Sequence, residues 1–312
     1  MGNAATWGLI GVVLGLLAAA TGIGQVLRRQ RELGLNPAAV AAFNSRVRAG
    51  WITCCLLAAA FWIHNSVTVA LFGFISFWAL REFITLTPTR LSDHRALFLV
   101  FLFTPLQYVF VSQNDFELFS IVIPVYGFLF IPASIAIAGD YKRFLERVAK
   151  IQCGLLICVY CLSFAPALLY LNIPGYENKV ALLFFFITMV QLSDAMQYAW
   201  GRMYGKHIIA PSISESRTWE GFLGGSGCAA LVGMVLFWAT PFGGWAGPMS
   251  LLISVMAFAG GMTMSAIKRD RGVDDYGTLV EGHGGVLDRI DSICFAAPVF
   301  YHVTRYFFAD LS

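Results

Sequence analysis

The sequence predicts an all-α, polytopic integral membrane protein with eight to ten transmembrane helices. Three observations predict it: hydrophobic residues make up 58% of the 312 residues, charged residues make up only 12%, and the mean hydropathy is +0.71. A soluble domain carries roughly 25% charged residues, because its surface faces water. The same composition excludes intrinsic disorder and a secreted disulfide scaffold. A net charge of +3 is too small to indicate a nucleic-acid partner.

Ten apolar stretches are candidates for membrane spans, which need about 20 mostly apolar residues to cross ~30 Å of hydrocarbon. The second and third are short and are joined only by His64 and Asn65, so they form either a tight hairpin or one re-entrant unit. We predict spans at Trp7–Leu27, Gly50–Ile63, Ser66–Leu80, Ala96–Ser112, Leu118–Ala138, Ile151–Leu171, Val180–Trp200, Gly221–Thr240, Met249–Ala266 and Ser292–Ala309.

The basic residues predict the orientation of these spans. If the loop after the first span is cytoplasmic, only Lys179 and Arg305 of the 21 basic residues lie outside the cytoplasmic loops. This distribution follows the positive-inside rule. We therefore expect a multi-pass protein of a bacterial-type inner cell membrane, with both termini outside. The interface that carries any active site would be cytoplasmic.

The chain divides into two regions of one membrane-embedded unit. Residues 1–150 would form N-terminal transmembrane helices, and residues 151–312 a C-terminal catalytic region with two long polar loops. Each polar stretch is shorter than the ~50 residues that a separate domain needs. Any chemistry must therefore be carried by short loops and the helix ends that they join.

The last polar loop, from Ser265 to Asp291, holds five aspartates, four basic residues and a histidine. Asp288 and Asp291 are three residues apart, so they share one face of a helix. Such carboxylates suit Mg²⁺, which usually shares a few carboxylates with substrate phosphates, and Asp275 adds a third. The alternative is that Asp288 and Asp291 cap the last helix and pair with Arg289.

Glycines surround His283 in the same loop. Gly284 and Gly285 would let backbone N–H groups approach a phosphate closely, and His283 is assigned a binding role. The alternative is a flexible linker. The chain has neither G-x-x-x-x-G-K-[ST] nor a strand-linked G-x-G-x-x-G, so a nucleotide would need a site built by the membrane helices.

The preceding polar loop adds three candidates. Asp194 ends an otherwise apolar span, where a carboxylate costs a few kcal/mol unless it has water, a partner or a function. Lys206 and Arg217 could reach phosphates. Alternatively, both are ordinary interfacial anchors.

These two loops resemble the phosphatidate cytidylyltransferase (CDP-diacylglycerol synthase) family, whose pattern is S-x-x-K-R, then K-D, then H-G-G-x-x-D-R-x-D. Arg81-Glu82-Phe83 also looks familial. The last loop matches at Ser265, Lys268, Arg269, Asp275, His283, Gly284, Gly285, Asp288, Arg289 and Asp291. The preceding loop matches at Asp194, Gly201, Gly205, Lys206, Ser214, Thr218, Trp219, Glu220 and Gly221.

The resemblance implies that the phosphate of phosphatidic acid attacks the α-phosphorus of CTP, giving CDP-diacylglycerol and pyrophosphate. It implies Mg²⁺ as cofactor and membrane lipid as surroundings, and a homodimer is compatible with it. The expected metal ligands are Asp275, Asp288 and Asp291; Lys268, Arg269 and Arg289 would neutralise charge in the transition state. The expected substrate-binding residues are Ser265, His283, Gly284, Gly285, Lys206, Arg217 and Asp194.

Three departures from the family pattern leave other functions open. Asp274 stands where the family has lysine, and Glu215 and Arg217 replace its proline and lysine. Two added acids should weaken the binding of an anionic substrate, so a catalytically weakened homologue is one alternative. An ion-coupled transporter is the other, although transporters usually place polar groups near the bilayer midplane.

Overall fold

The computed structural model describes residues 64–87, 89–277 and 284–310, together with residues 8–15 and isolated helical positions between 18 and 58. Through these residues the chain is almost entirely helical, as predicted. The difference is one short β-hairpin in the polar loop before Gly221. Most of the first two predicted spans, and His283, lie outside the described residues.

Between residues 64 and 170 the structure describes four long helices. Polar caps start two of them: Nδ1 of His64 accepts a hydrogen bond from the Ser66 amide, and the Asp115 carboxylate accepts one from the Leu118 amide. Such caps satisfy amides that have no partner inside the helix. The four helices are α1 (Asn65–Thr85), α2 (His94–Ser112), α3 (Phe116–Ile137) and α4 (Phe144–Tyr170).

Residues 179–308 contain four more long helices and the hairpin. Thr218 ends the hairpin and caps the next helix, because its Oγ1 accepts a hydrogen bond from the Gly221 amide. The two strands are antiparallel, with Ile208 opposite Thr218. In order, the elements are α5 (Lys179–Tyr204), β1 (Ile208–Ala210), β2 (Ser214–Thr218), α6 (Trp219–Val235), α7 (Ala246–Arg271) and α8 (Leu287–Phe308).

Six of the described helices are long and apolar enough to cross a membrane. They correspond to the third to seventh and the ninth predicted spans, and they support the expectation of a multi-pass membrane protein. The eighth and tenth predicted spans are also helical, as α6 and α8. However, α6 has only 17 residues, and α8 begins with charged residues. The count of eight to ten spans stays a prediction.

Small residues bring the last four helices close together. A Cβ at Gly225 of α6 would lie 2.5 Å from Cα of Gln197 in α5, and one at Gly260 of α7 would lie 2.8 Å from the Asp291 carbonyl oxygen in α8. Close backbone approach at small residues is typical of helix packing in membranes. Gln197 also donates a hydrogen bond of 3.0 Å to the Ser254 hydroxyl. This packing fixes the relative positions of the helix ends that carry the polar loops.

Candidate active site

Five charged residues from both polar loops converge where α5, α7 and β2 meet the beginning of α8. The Lys268 ammonium donates a hydrogen bond of 2.9 Å to Oδ1 of Asp288. Asp291, one turn further along α8, lies within electrostatic range of Asp194, Arg217 and Lys268. We call these five residues the central cluster. The structure therefore brings together residues that are up to 97 positions apart in the chain, numbered 194 to 291.

Asp288 of the central cluster accepts three hydrogen bonds. Its Oδ2 accepts hydrogen bonds of 2.9 Å from the amides of Tyr276 and Gly285, while Lys268 holds Oδ1. Both oxygens are thus engaged, and the side chain fastens the loop to the first turn of α8. Part of the capping role that the sequence left open is therefore present in this arrangement.

Asp291 is held differently, beside a second carboxylate. Burial, and then the negative charge of Asp194, raise the pKa of Asp291 to about 7, while a hydrogen bond from the Ser292 amide and the charges of Arg217 and Lys268 oppose the shift. Nearby carboxylates in a poorly solvated site disfavour each other's charged form, and a divalent cation would remove that conflict. Within the described ranges, no three His, Cys, Asp or Glu side chains are grouped as metal ligands. A cation here would need substrate or water oxygens as well, as Mg²⁺ usually does.

Gly284 and Gly285 of the loop leave room for carboxylates. Gly284 has φ +77°, which disfavours other residues. A Cβ there would lie 3.0 Å from Oδ2 of Asp288 and 3.2 Å from Oδ1 of Asp275. A Cβ at Gly285 would lie 2.5 Å from Oε2 of Glu82. Asp275 is therefore near the Asp288 carboxylate, on the exposed side of the loop.

Glu82 is a site residue to which sequence reasoning gave no role. It lies near the end of α1, is only 5% exposed, and accepts hydrogen bonds from the amides of Val286 (3.0 Å) and Leu287 (2.8 Å). These amides belong to the start of α8. The resemblance of Arg81-Glu82-Phe83 to the family was the signal in the sequence, but it did not indicate this contact.

Arg217 packs against helix α7, and Ser265 belongs to that helix. The Arg217 guanidinium lies 5.3 Å from the centre of the Phe258 ring and fills the space opposite Gly261, where a Cβ would overlap it. The Ser265 hydroxyl donates a hydrogen bond of 2.6 Å to the Gly261 carbonyl oxygen. Arg217 thus lies against α7 within electrostatic range of Asp291, whereas Ser265 is bonded to the backbone of its own helix.

Three further predicted residues lie in or beside the polar loops. Arg289 is partly buried in the first turn of α8, and Lys206 and Arg269 are exposed. Arg269 forms a 2.8 Å ion pair with Asp274, which is the acid that stands where the family has lysine. The negative charge of Asp274 is therefore paired with a neighbouring cation.

The hairpin is attached to α6 through Glu220. Its carboxylate accepts hydrogen bonds from the amides of Lys206 (3.1 Å) and His207 (3.2 Å) and also contacts the His207 ring. The hydrogen bond with the His207 ring, followed by those with backbone amides, lowers the pKa of Glu220 to about 2. This contact fixes Lys206 at the start of the hairpin that carries Arg217.

Comparison with known proteins places these loops in a family. Residues 44–307 match the family model of the cytidylyltransferase family. The phosphatidate cytidylyltransferase of Staphylococcus haemolyticus is 37% identical over 184 residues, which cover 52% of this chain and 70% of that protein. That of Brucella abortus (strain 2308) is 38% identical over 120 residues, 38% of this chain and 44% of that protein.

A third relative matches more of the chain. The uncharacterized protein YnbB of Escherichia coli (strain K12) is 38% identical over 242 residues, which cover 77% of this chain and 80% of that protein. The family match includes α1 to α7, both polar loops and nearly all of α8. The resemblance inferred from the loop residues is confirmed: this chain belongs to the cytidylyltransferase family.

Proposed function

We propose that this protein transfers CMP from CTP to phosphatidic acid, giving CDP-diacylglycerol and pyrophosphate. The family supports a nucleotidyltransferase, and two relatives bear the name phosphatidate cytidylyltransferase. The observation that carries the proposal is the central cluster, in which carboxylates and cations from both polar loops meet at the ends of apolar helices. Such a position suits a reaction between a lipid head group and a water-soluble nucleotide.

The reaction forms one phosphorus–oxygen bond and breaks another. A phosphate oxygen of phosphatidic acid attacks the α-phosphorus of CTP, and the bond from that phosphorus to the bridging oxygen breaks, so that pyrophosphate leaves. Lys268 and Arg217 lie within the central cluster and would pair with phosphate oxygens. Their charge would stabilise the negative charge that develops in the transition state. Exposed Lys206 and Arg269 would attract CTP, and Arg289 would add positive charge beside the carboxylates.

The residues present fit a Mg²⁺ ion shared with the substrate. We place the primary ligands at Asp291 and Asp194, because Asp291 is buried and the two carboxylates lie within electrostatic range of each other. Asp288 would join by exchanging its bond with Lys268, and Asp275 could contribute from the exposed side. When bound, Mg²⁺ supplies neutralisation of the phosphate charges and of the leaving pyrophosphate. Ser265, His283, Gly284 and Gly285 remain predicted substrate contacts.

The proposal is tested with purified protein in detergent, CTP, phosphatidic acid and Mg²⁺. We expect CDP-diacylglycerol and pyrophosphate in equal amounts, and a fall in turnover of at least about 100-fold in Asp291→Asn. Asp310→Asn is a matched control, because this exposed aspartate follows the opposite end of α8. Wild-type protein without product would refute the proposed reaction, and full turnover in Asp291→Asn would refute the metal assignment.

A catalytically weakened homologue is the second candidate, and Asp274 favours it. This acid replaces a family lysine, although it is paired with Arg269. Slow turnover by wild-type protein that rises on Asp274→Lys would identify this case. Membership of the cytidylyltransferase family favours an active or a weakened enzyme over an ion-coupled transporter.

A further inference from the structure

We propose that Glu82 is a positioning residue that holds the first turn of α8, and with it Asp288 and Asp291, in the geometry that the reaction needs. The inference rests on the proposed function, because the ordered first turn of α8 is needed only if Asp288 and Asp291 take part in that reaction. It also gives the N-terminal half of the chain a part in the active site.

The hydrogen bonds of Glu82 show how this works. The first amides of a helix have no carbonyl partner within the helix, and a negative charge is stabilised beside them by the helix dipole. The Glu82 carboxylate accepts from Val286 with Oε1 and from Leu287 with Oε2. Bonds to a charged acceptor are roughly twice as strong as neutral ones. Glu82 therefore fixes the direction in which α8 begins.

The shape of the loop matches this carboxylate on two sides. A Cβ at Gly277 would lie 2.7 Å from Oε1 of Glu82, and one at Gly285 would lie 2.5 Å from Oε2. Both distances are too short for a carbon, so only glycine fits at either position unless the carboxylate moves. Gly277 and Gly285, which precede Asp288 in the chain, therefore pack against the Glu82 carboxylate from two sides.

Phe83, which follows Glu82, adds a second contact between the end of α1 and the last polar loop. The ring of Phe83 is nearly parallel to that of Tyr276, with ring centres 6.4 Å apart, and the Tyr276 amide donates to Asp288. Phe83 in turn lies against Gly154 of α4, where a Cβ would be 2.6 Å from its ring. The end of α1 therefore supports the loop through both Glu82 and Phe83.

Glu82 also limits where phosphate can bind. The start of a helix normally offers its amides to an anion, but at α8 the amides of Val286 and Leu287 already bind Glu82, and that of Gly285 binds Asp288. Phosphate groups would then be held mainly by side-chain cations of the central cluster and by a metal ion, and not by these three amides. The geometry of Asp288 and Asp291 is consequently more important here than the anion affinity of the helix.

The test compares Glu82→Gln with Ser76→Ala. Ser76 is a buried polar residue of the same helix whose hydroxyl is hydrogen-bonded to Tyr108, away from the loop. We expect Glu82→Gln to speed hydrogen–deuterium exchange at Val286 and Leu287 and to weaken Mn²⁺ binding, measured directly by titration, about 10-fold. The Mg²⁺ concentration for half-maximal turnover should rise equally. Ser76→Ala should change none of these.

Gly277→Ala provides a second perturbation that keeps the carboxylate but displaces it. We expect the same three changes, and little further change when it is combined with Glu82→Gln, because both act on one contact. Faster exchange with unaltered Mn²⁺ binding would show that Glu82 is only a helix cap, and this result would overturn the proposal. Unchanged hydrogen–deuterium exchange at Val286 and Leu287 would overturn it as well. If wild-type protein makes no CDP-diacylglycerol, the proposed function fails, whereas exchange and Mn²⁺ binding still decide the role of Glu82.

Discussion

Removing the Lys268 ammonium should show how much the central cluster contributes to the stability of the protein and how much to its turnover. Lys268→Met keeps much of the side-chain volume but leaves Oδ1 of Asp288 without its charged partner. It also removes one of the two cations that oppose the raised pKa of Asp291. We expect both lower stability and nearly complete loss of turnover.

The size of the stability loss follows from exposure. The side chains of Lys268 and Asp288 are 20% and 10% exposed, so the pair is largely shielded from water. Breaking a buried pair costs about 3–5 kcal/mol, and a hydrogen bond to a charged group contributes about 1.5–3 kcal/mol. Because some water reaches this pair, we expect a loss of about 2–3 kcal/mol.

Arg269→Gln is the matched control for this substitution. Its ion pair with Asp274 has nearly the same length, 2.8 Å, but the two side chains are 54% and 88% exposed. Exposed pairs contribute about 0–1 kcal/mol. The two variants therefore differ in the burial of the broken pair more than in its geometry.

Thermal unfolding in detergent and product formation are the two measurements. We expect Lys268→Met to lower the melting temperature by roughly 5–10 °C and Arg269→Gln to lower it by much less. Adding Asp288→Asn to Lys268→Met should recover part of the stability, because Asp288 then no longer carries an unpaired charge, without recovering turnover. Equal melting temperatures for Lys268→Met and Arg269→Gln would refute the burial argument.

Two further predictions concern the rim of the site. Asp274→Lys restores the positive charge that the family has at this position, which is 88% exposed. Because charges at an exposed position act largely through water, we expect the KM for CTP to fall only about two- to fivefold. A higher KM would contradict the charge argument. The pKa of Glu220 is lowered from 4.5 to about 2, so its stabilisation of the hairpin should be complete above pH 4.5 and lost as the pH falls towards 2. Limited proteolysis between residues 205 and 218 at pH 7 and pH 3 measures this loss, and Glu220→Gln should be cleaved readily at both pH values.

The sequence predicted the helices well because apolar length is a local property. The spans Ser66–Leu80 and Val180–Trp200 lie within α1 and α5, and the structure extends each helix by one or more residues into polar sequence. The hairpin was missed because β1 has three residues, too few for a recognisable alternating pattern. Its order depends on the Glu220 contact and on packing against α5, which are tertiary features.

The sequence predicted which residues form the site, but not which of them contact one another. Spacing alone places Asp288 and Asp291 on one face of α8, yet their surroundings differ: Asp288 is bound by Lys268 and two amides, whereas Asp291 lies beside Asp194. The partner of each carboxylate depends on how α5 and α7 pack against α8. That packing follows from close approach at glycines such as Gly260, whose consequence cannot be derived from spacing.

Glu82 shows why a glycine-rich motif can be interpreted in two ways from sequence. Gly284 and Gly285 have the composition of a phosphate-binding turn, and their contact with substrate remains a prediction. In this structure, however, the Gly285 amide binds Asp288, and its missing side chain makes room for a carboxylate about 200 residues earlier. A loop that binds anionic side chains through its amides orients carboxylates, and the carboxylates can then hold a cation. Phosphate recognition would thereby pass from the backbone to the metal ion and to Lys268 and Arg217.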